Sequence, residues 1–189
     1  MGSGVKGGLQ GELVGLRARH EADVAILVTE MHDDVATDAR GSRRPWRPLS
    51  PASKESFTRV QEPNDTFAPF SIVELATDTL AGEASLWEID SHNRSAHVGI
   101  GLRPDFRGKG LSTDTLRVLC HYGFIVLGLH RLQVDTLSDN YPMLKAAERV
   151  GFTREGMTRG SAWVMGEFAD DVILGMLAHE WSGQRHAGA

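Results

Sequence analysis

A basic, glycine-rich turn near the middle of the chain has residue types and spacing that suit phosphate binding. It reads Arg107-Gly108-Lys109-Gly110 and lies between an apolar, strand-like run that ends at Leu102 and a helical pattern that begins at Leu111. The first backbone N–H groups of a helix have no partner within the helix, and the helix dipole favours an anion there. Glycine lets the backbone approach that anion closely. The pattern predicts a cradle for a pyrophosphate-bearing ligand.

The composition predicts a single globular domain and disfavours two classes of partner. The chain has 189 residues, 41% of them hydrophobic, with 20 basic against 25 acidic side chains and a formal charge of −5. This acidic balance argues against non-specific nucleic-acid binding. No apolar run approaches the ~20 residues that span a bilayer, and the first residues lack the apolar core of a signal peptide. We therefore expect a cytoplasmic protein with no nucleic-acid or membrane partner.

The single cysteine and the histidines indicate neither a disulfide framework nor a metal site. Cys120 follows two apolar residues, which favours a buried small hydrophobe over a nucleophile. The eight histidines and the paired aspartates do not show the spacing of metal ligands. We expect no metal.

Alternating and helical patterns predict an α/β fold of the α+β type, with a mostly antiparallel, mixed sheet of about seven strands and about four helices. The domain is expected over residues 13–181, between flexible ends at 1–12 and 182–189. The predicted strands are Leu13–Ala18, Phe67–Ala76, Leu80–Ile89, Ala96–Leu102, Arg131–Leu137, Phe152–Met157 and Trp163–Leu177, the last with a turn near Glu167–Asp171. The predicted helices are Glu21–Met31, Ser53–Val60, Leu111–Leu129 and Asn140–Val150.

A proline- and arginine-rich segment, Ala39–Ser53, cannot form a regular helix because its three prolines remove donors and restrict the residues before them. One interpretation is a surface connection. The other is a substrate-binding loop in which Trp46 forms an apolar wall and Arg43 and Arg44 attract an anionic group.

Three blocks in a fixed order resemble the GNAT superfamily of acyl-CoA N-acyltransferases, over roughly Leu13 to Trp181. The first block places Arg107, Gly110 and Ser112 at the signature positions, although the family usually has Gly or Ala where Ser112 stands. The second runs from Asn140 to Phe152. The third, Ile89–Leu102, is most similar to the branch that contains ribosomal-protein alanine and serine N-acetyltransferases.

This resemblance implies an acetyl-CoA site and a sheet that splays between its fourth and fifth strands, Ala96–Leu102 and Arg131–Leu137. The pyrophosphate would lie on the turn and the first helical turn, and a backbone N–H near the end of the fourth strand would polarise the thioester carbonyl. Asn140 would reach the pantetheine arm, or would cap the helix that follows it. The implied cofactor-binding residues are Gly101, Leu102, Arg103, Arg107, Gly108, Lys109, Gly110, Leu111, Ser112, Thr113 and Asn140.

The chain departs from the family at the positions that usually supply a proton to the leaving thiolate. The closing helix has Ala147 where the family often has Tyr, and Met143 where the ribosomal branch often has Ser. Our candidates for proton transfer are Asp135, Tyr141, Glu88 and His97, because carboxylates, phenols and imidazoles are the usual general acids and bases. Glu83 and Glu74 are further carboxylate candidates. Trp87 and Met143 are candidates for contact with the acceptor.

The sequence therefore predicts an N-acetyltransferase that transfers an acetyl group directly from acetyl-CoA to a primary amine. The acceptor is either a small-molecule amine, such as an antibiotic, or a protein N-terminus, and a homodimer is compatible with the chain. The alternative is a non-catalytic acyl-CoA-binding module, which would account for the replaced acid.

Overall fold

An open, mixed β-sheet of eight strands forms the centre of the protein, whose computed structural model describes residues 9–42, 45–48 and 59–182. The spatial order is β1-β2-β3-β4-β5-β6-β8-β7, and of these neighbouring pairs in the described chain only β5 and β6 run parallel. The strands are β1 (Leu9–Gln10), β2 (Val14–Arg17), β3 (Phe67–Glu74), β4 (Thr79–Asp90), β5 (Ser95–Leu102), β6 (Arg131–Leu137), β7 (Thr153–Val164) and β8 (Glu167–Leu177).

In the part of the chain that the structure describes, four α-helices cover the two faces of this sheet. Helix α1 (Glu21–Leu27) continues into a π-helical turn, Val28–His32, and is followed by α2 (Val35–Gly41). Helix α3 (Leu111–His121), also extended by a π-helical turn, and α4 (Tyr141–Val150) come later in the chain. Among the described residues, no helix is long and apolar enough to cross a membrane.

The hydrophobic residues separate into two clusters, which shows how the helices divide between the faces. The larger cluster joins α3 and α4 to the side chains of Ala96, Val98 and Leu132. The smaller one contains Leu27, Met31 and Leu80. Because successive side chains of a strand point to opposite faces, His97, Gly99 and Gly101 lie on the face opposite Ala96 and Val98. That face is the one on which α1 lies, since Met31 packs against Gly101.

Strand β6 and helix α4 agree with the sequence prediction, whereas the C-terminal strands do not. The prediction placed an interruption between Met157 and Trp163 and a turn near Glu167–Asp171. Instead β7 and β8 form one long hairpin that turns at Met165 and Gly166, both with positive φ. Positive φ at both central residues is the requirement of the tight type I′ hairpin turn. The predicted turn was therefore wrong.

The two regions before β3 also differ from the expectation. Helix α2 was not predicted, because the prolines that follow dominated the pattern of this segment. Leu9–Gln10 pairs with β2, so the sheet begins within the segment predicted to be a flexible end. Most of the predicted helix Ser53–Val60, together with Arg43 and Arg44, lies outside the described residues.

Cys120 is fully buried in the larger cluster, as predicted for a small hydrophobe. Burial raises the pKa of its thiol well above the ordinary value. A protonated, inaccessible thiol is not a nucleophile.

The carboxylate of Asp114, in the first turns of α3, fixes the N-terminal strands to the helix. It accepts hydrogen bonds from the backbone N–H groups of Glu12 (3.2 Å), Leu13 (2.7 Å) and Val14 (3.0 Å). Asp114 is only 2% exposed, so its removal would leave these donors without their acceptor. Gly11 is needed beside it, since a Cβ there would lie 2.3 Å from Asp114 Oδ2.

We predict that Asp114→Ala lowers the free energy of unfolding by about 3 kcal/mol, because three hydrogen bonds to a buried charged acceptor are lost. Urea denaturation followed by circular dichroism measures this. Asp105→Ala, at an exposed site of the same region, should change stability by less than about 0.5 kcal/mol. Equal effects of the two substitutions would contradict the anchoring role of Asp114.

Candidate active site

The glycine-rich turn presents a row of free donors at the start of α3, as the sequence predicted. The internal hydrogen bonds of the helix begin with the N–H groups of Thr113 and Asp114, which donate to Gly110 O at 3.1 and 3.3 Å. Among the described residues, no backbone carbonyl accepts from the N–H groups between Lys109 and Ser112. Gly108 (φ +76°) and Gly110 (φ +84°) take left-handed conformations that side chains disfavour. This arrangement can bind an anion.

Two arginines beside this turn are held by contacts within the protein. Arg107 Nε donates to Leu102 O at 3.0 Å. Arg103 forms a bidentate ion pair with Glu30, with nitrogen–oxygen distances of 2.8 and 2.6 Å, and also donates to Leu80 O. Arg103 therefore fixes α1 to the end of β5, in addition to any charge that it supplies to a ligand.

The parallel strands β5 and β6 pair over only three residues and then separate. The last pair is His97 with Gln133, although β5 continues to Leu102 and β6 to Leu137. The splay that the resemblance implied is thus present between the predicted strands. The gap lies at the carboxyl ends of two parallel strands, a common location for ligands in such sheets.

Backbone N–H groups of β5 point into this gap. Along an antiparallel ladder, peptide groups point alternately to the two neighbouring strands. The N–H of Arg103 donates to Ala81 O of β4 at 2.9 Å, so the N–H groups of Ile100 and Leu102 point the other way, toward the gap. Sequence reasoning placed these donors at Gly101–Arg103 and missed Ile100, which the alternation of strand peptides could have found.

His97 and Asp135, predicted separately as proton-transfer residues, are in contact at the point where β5 and β6 separate. His97 Nδ1 lies 2.7 Å from Asp135 Oδ2. The side chain of Asp135 is 8% exposed and that of His97 25% exposed. The ring of Trp87 packs against the imidazole, with 4.5 Å between the centroids. An Nδ1–H donated to the carboxylate leaves Nε2 as the acceptor of a proton.

Glu88 lies on the other side of the imidazole. Its Oε2 is 3.7 Å from His97 Nε2, which is beyond hydrogen-bond distance, and its side chain is 70% exposed. Glu88 has a positive φ of 49° and stands where the β4–β5 register shifts, between Trp87 and Asp90. Non-glycine residues rarely adopt this conformation, and such strain concentrates at functional sites. The strained bulge therefore brings an exposed carboxylate close to Nε2 of His97.

A second histidine–carboxylate cluster lines the same face nearer α1. His32 bridges Asp38 at 3.2 Å and Glu83 at 3.1 Å. Glu83 also forms an ion pair with buried Arg19 at 2.8 Å. Burial lowers the pKa of His32, but the hydrogen bonds and charges of Glu83 and Asp38 outweigh burial and raise it above the ordinary value. Because Glu83 is engaged by two cations, it is a weaker candidate base than the His97–Asp135 pair.

Comparison with known proteins agrees with this geometry. A family model described as an acetyltransferase (GNAT) domain matches residues 14–153. The chain belongs to the GNAT family. It is an N-acetyltransferase, with acetyl-CoA as the donor and an amine as the acceptor.

Individual GNAT relatives differ in their named acceptors. The chain is 30% identical over 141 residues to the putative ribosomal N-acetyltransferase YdaF of Bacillus subtilis (strain 168). The aligned region covers 72% of this chain and 77% of that protein. It is 28% identical over 101 residues to the spermidine N(1)-acetyltransferase of Escherichia coli (strain K12), covering 53% and 54% of the two chains.

Solved structures of GNAT proteins share the fold. A spermidine N-acetyltransferase from Vibrio cholerae, solved with CoA and spermine, superposes with a TM-score of 0.78 at 20% identity and covers 89% of this chain and 98% of its own. A dodecameric structure of spermidine N-acetyltransferase from the same organism has a TM-score of 0.70 at 19% identity, covering 92% and 98%.

The remaining GNAT site residues fall on α4 and near α2. Asn140 precedes α4, but its side chain donates to Thr136 Oγ1 at 2.9 Å instead of capping the helix. Tyr141 is 64% exposed at the helix start, Met143 is half-buried, and Ala147 is buried. Trp46 donates to His32 O at 2.9 Å, which places it beside the second histidine cluster. The described residues contain no group of three or more side chains arranged to hold a metal.

We predict that Gly110→Val weakens CoA binding at least about tenfold, because the cradle requires a positive φ that a β-branched residue resists. Isothermal titration calorimetry with CoA measures the change. Gly166→Val is the matched control: Gly166 also has a positive φ of 99°, but it lies in the β7–β8 turn. If both variants lost affinity equally, general destabilisation would replace the cradle as the explanation.

We also predict that the contribution of His32 to stability declines as the pH rises. A pKa that folding raises gives stability that is fully present below the unfolded pKa, about 6.5, and that is lost as the pH rises through the folded value. His32→Gln should therefore cost on the order of 1 kcal/mol at pH 6 and less under alkaline conditions. Thermal unfolding across this range measures the difference, with exposed His130→Gln as the control. A cost that stayed constant with pH would exclude a charged bridge.

Proposed function

We propose that His97 is the general base that removes a proton from the amine acceptor, with Asp135 holding its ring. The observation that carries the proposal is the 2.7 Å contact between His97 Nδ1 and Asp135 Oδ2 where β5 and β6 part. Nε2 then faces Glu88 and the open cleft. General bases act from hydrogen-bond distance of their proton or through one water.

The cofactor in this proposal follows the gap between the strands. Its pyrophosphate lies on the N–H groups of Gly108–Ser112, with Lys109 adding charge. Its pantetheine amides pair with the free edge of β5, as an added strand would. The thioester carbonyl accepts from the N–H of Ile100, which also stabilises the oxyanion that forms on attack. Ile100 is three residues, roughly 10 Å, from His97 along the strand, so the acceptor nitrogen, which lies at the thioester, and intervening water must together span this distance.

The acceptor enters as an ammonium ion and must lose a proton before it attacks. Glu88 attracts the cation, and Nε2 of His97 takes one proton directly or through water. The neutral nitrogen forms a bond to the thioester carbon and, now positively charged, gives its second proton to solvent. The carbon–sulfur bond then breaks with the electron pair on sulfur, which releases the amide. The thiolate leaves without a side-chain acid, because Met143 and Ala147 cannot donate a proton, and solvent protonates it.

We propose a small cationic amine as the acceptor in preference to a protein N-terminus. Carboxylates line the acceptor face, and Glu88 among them is largely exposed. The spermidine acetyltransferase relatives also support a small amine. A direct comparison of spermidine with an alanine-terminated peptide, with free CoA thiol as the readout, tests this choice, and a higher kcat/KM for the peptide would reverse it.

We predict that His97→Gln lowers kcat about 10²-fold and removes the loss of activity on the acid side of neutral pH, because glutamine cannot accept the proton. The KM for acetyl-CoA should stay close to the native value, since the phosphate cradle is untouched. Steady-state kinetics between pH 5.5 and 9 measure both effects. His92→Gln, on the exposed turn between β4 and β5, should match the native enzyme. Native kinetics in His97→Gln would reject His97 as the base.

We also propose that the enzyme is cytoplasmic and that it self-associates. A cytoplasmic enzyme is supported by the mildly acidic chain, whose one cysteine is buried. Self-association is supported by the exposed strand β7 at the edge of the sheet and by the dodecameric relative. Light scattering during size-exclusion chromatography tests self-association.

A further inference from the structure

A row of hydrogen-bonded side chains runs along β6 and ends at His97. Arg131, Gln133 and Asp135 alternate along the strand and therefore share the acceptor face. Glu155 of β7 contacts Arg131 at one end, and His97 of β5 contacts Asp135 at the other. The row thus links the outer edge of the sheet to the imidazole across β5, β6 and β7. Neither Gln133 nor Arg131 is a group that the chemistry itself requires.

Gln133 makes the central contacts of this row. Its Nε2 donates to both carboxylate oxygens of Asp135, at 3.0 and 3.2 Å. Its Oε1 accepts from Arg131 at 3.0 Å. Because arginine only donates hydrogen bonds, the amide oxygen must face Arg131 and the amide nitrogen must face Asp135. The orientation of the glutamine is therefore fixed by its neighbour.

Arg131 is itself held in one position. Both of its terminal nitrogens contact the carboxylate of Glu155, one of them at 2.7 Å. The hydrogen bond and charge of Glu155 raise the pKa of Arg131 above its already high ordinary value. A bidentate arginine–carboxylate pair is directional as well as strong, so Arg131 is a fixed donor for the amide of Gln133.

We propose that Gln133 and Arg131 are positioning residues for the general base, an inference that rests on the proposed role of His97. The two N–H···O bonds from Gln133 hold the Asp135 carboxylate ionised and turned toward Nδ1 of His97. That geometry keeps the proton on Nδ1 and the acceptor lone pair on Nε2, which faces the cleft. Without Gln133, the carboxylate turns away or accepts a proton more easily, and the imidazole loses its fixed tautomer.

The charged side chains that face this unit come from three strands and from the residues after β8. Asp135 on β6 and Glu88 on β4 face His97, whereas Arg131 and Glu155 lie at the far end of the row, where Glu180 also acts on Arg131. Gln133 is a neutral spacer between the cation of Arg131 and the anion of Asp135. A charge introduced at residue 133 therefore acts on Asp135 directly and on His97 through it.

Two substitutions at residue 133 test the proposal. Gln133→Met keeps the length of the side chain but removes both donors, and should lower kcat about tenfold while leaving the KM for acetyl-CoA unchanged. Gln133→Glu keeps an acceptor for Arg131 but places a carboxylate against Asp135. The added negative charge should move the acid side of the kcat/KM profile to higher pH by about one unit. A merely structural role would change neither the profile nor the ratio of kcat to KM.

Matched arginine variants give the control. Arg131→Met should lower kcat by part of the amount expected for Gln133→Met, because the side-chain amide of Gln133 is then free to rotate. Arg154→Met breaks a comparable exposed ion pair, with Glu148 at 2.8 Å, and should behave like the native enzyme. Circular dichroism and CoA titration on every variant show whether the fold and the cofactor site are intact.

The results distinguish failure of the positioning role of Gln133 and Arg131 from failure of His97 as the base. If His97→Gln loses the acid side of the profile while both Gln133 variants keep native kinetics and a native profile, the positioning role is overturned and the role of His97 stands. If His97→Gln keeps the native profile, the proposed base and the positioning role both fall. The inference is supported if kcat falls in Gln133→Met and the acid side of the kcat/KM profile moves to higher pH in Gln133→Glu, with both variants folded and able to bind CoA.

Discussion

The separation of β5 from β6 after the pair His97–Gln133 is the constraint on which the rest of the site depends. A continuous ladder would satisfy the peptide groups of β5 within the sheet and leave no edge for a ligand. Here α3 connects the two parallel strands, and β5 leaves the ladder and runs on to the glycine-rich turn. The same divergence frees the N–H groups of Ile100 and Leu102 and brings the His97–Asp135 contact to the opening of the gap. In the proposed mechanism, this one irregularity of the sheet supplies both the edge that binds the cofactor and the place for proton transfer.

The chemistry divides unevenly between backbone and side chains. In the proposed mechanism, phosphate binding and carbonyl polarisation use peptide N–H groups. Proton transfer needs a particular side chain, and the proposal assigns it to His97, which is held between a buried carboxylate and a tryptophan ring. The family positions on α4 hold Met143 and Ala147, so the leaving thiolate has no donor there. The proposed mechanism therefore relies on side chains for taking a proton from the amine and not for protonating the leaving thiolate.

The sequence predicted what depends on short-range patterns. Strand β6 was predicted at its observed bounds, because Leu132, Val134 and Thr136 alternate with polar residues. The glycine-rich turn at the start of α3 was predicted from its glycines and from the helical pattern that follows. Contacts that depend on strand register could not be predicted from the sequence. His97 and Asp135 are 38 residues apart, and the parallel pairing of β5 with β6 brings them together. The engagement of Glu83 by Arg19 and His32 likewise arises from packing of α1. The β7–β8 turn was misplaced because Met165 carries no turn signal of its own, and its positive φ is imposed by the hairpin.

The bidentate ion pair between Arg103 and Glu30 joins the regions that the proposal assigns to the cofactor and to the acceptor. Arg103 begins the segment that leads to the glycine-rich turn, and Glu30 belongs to the π-helical turn that also contains His32. If the amine lies against this face and the pyrophosphate on this turn, as proposed, one side-chain pair links the acceptor site to the cofactor site. Loss of that pair is then expected to loosen both sites together.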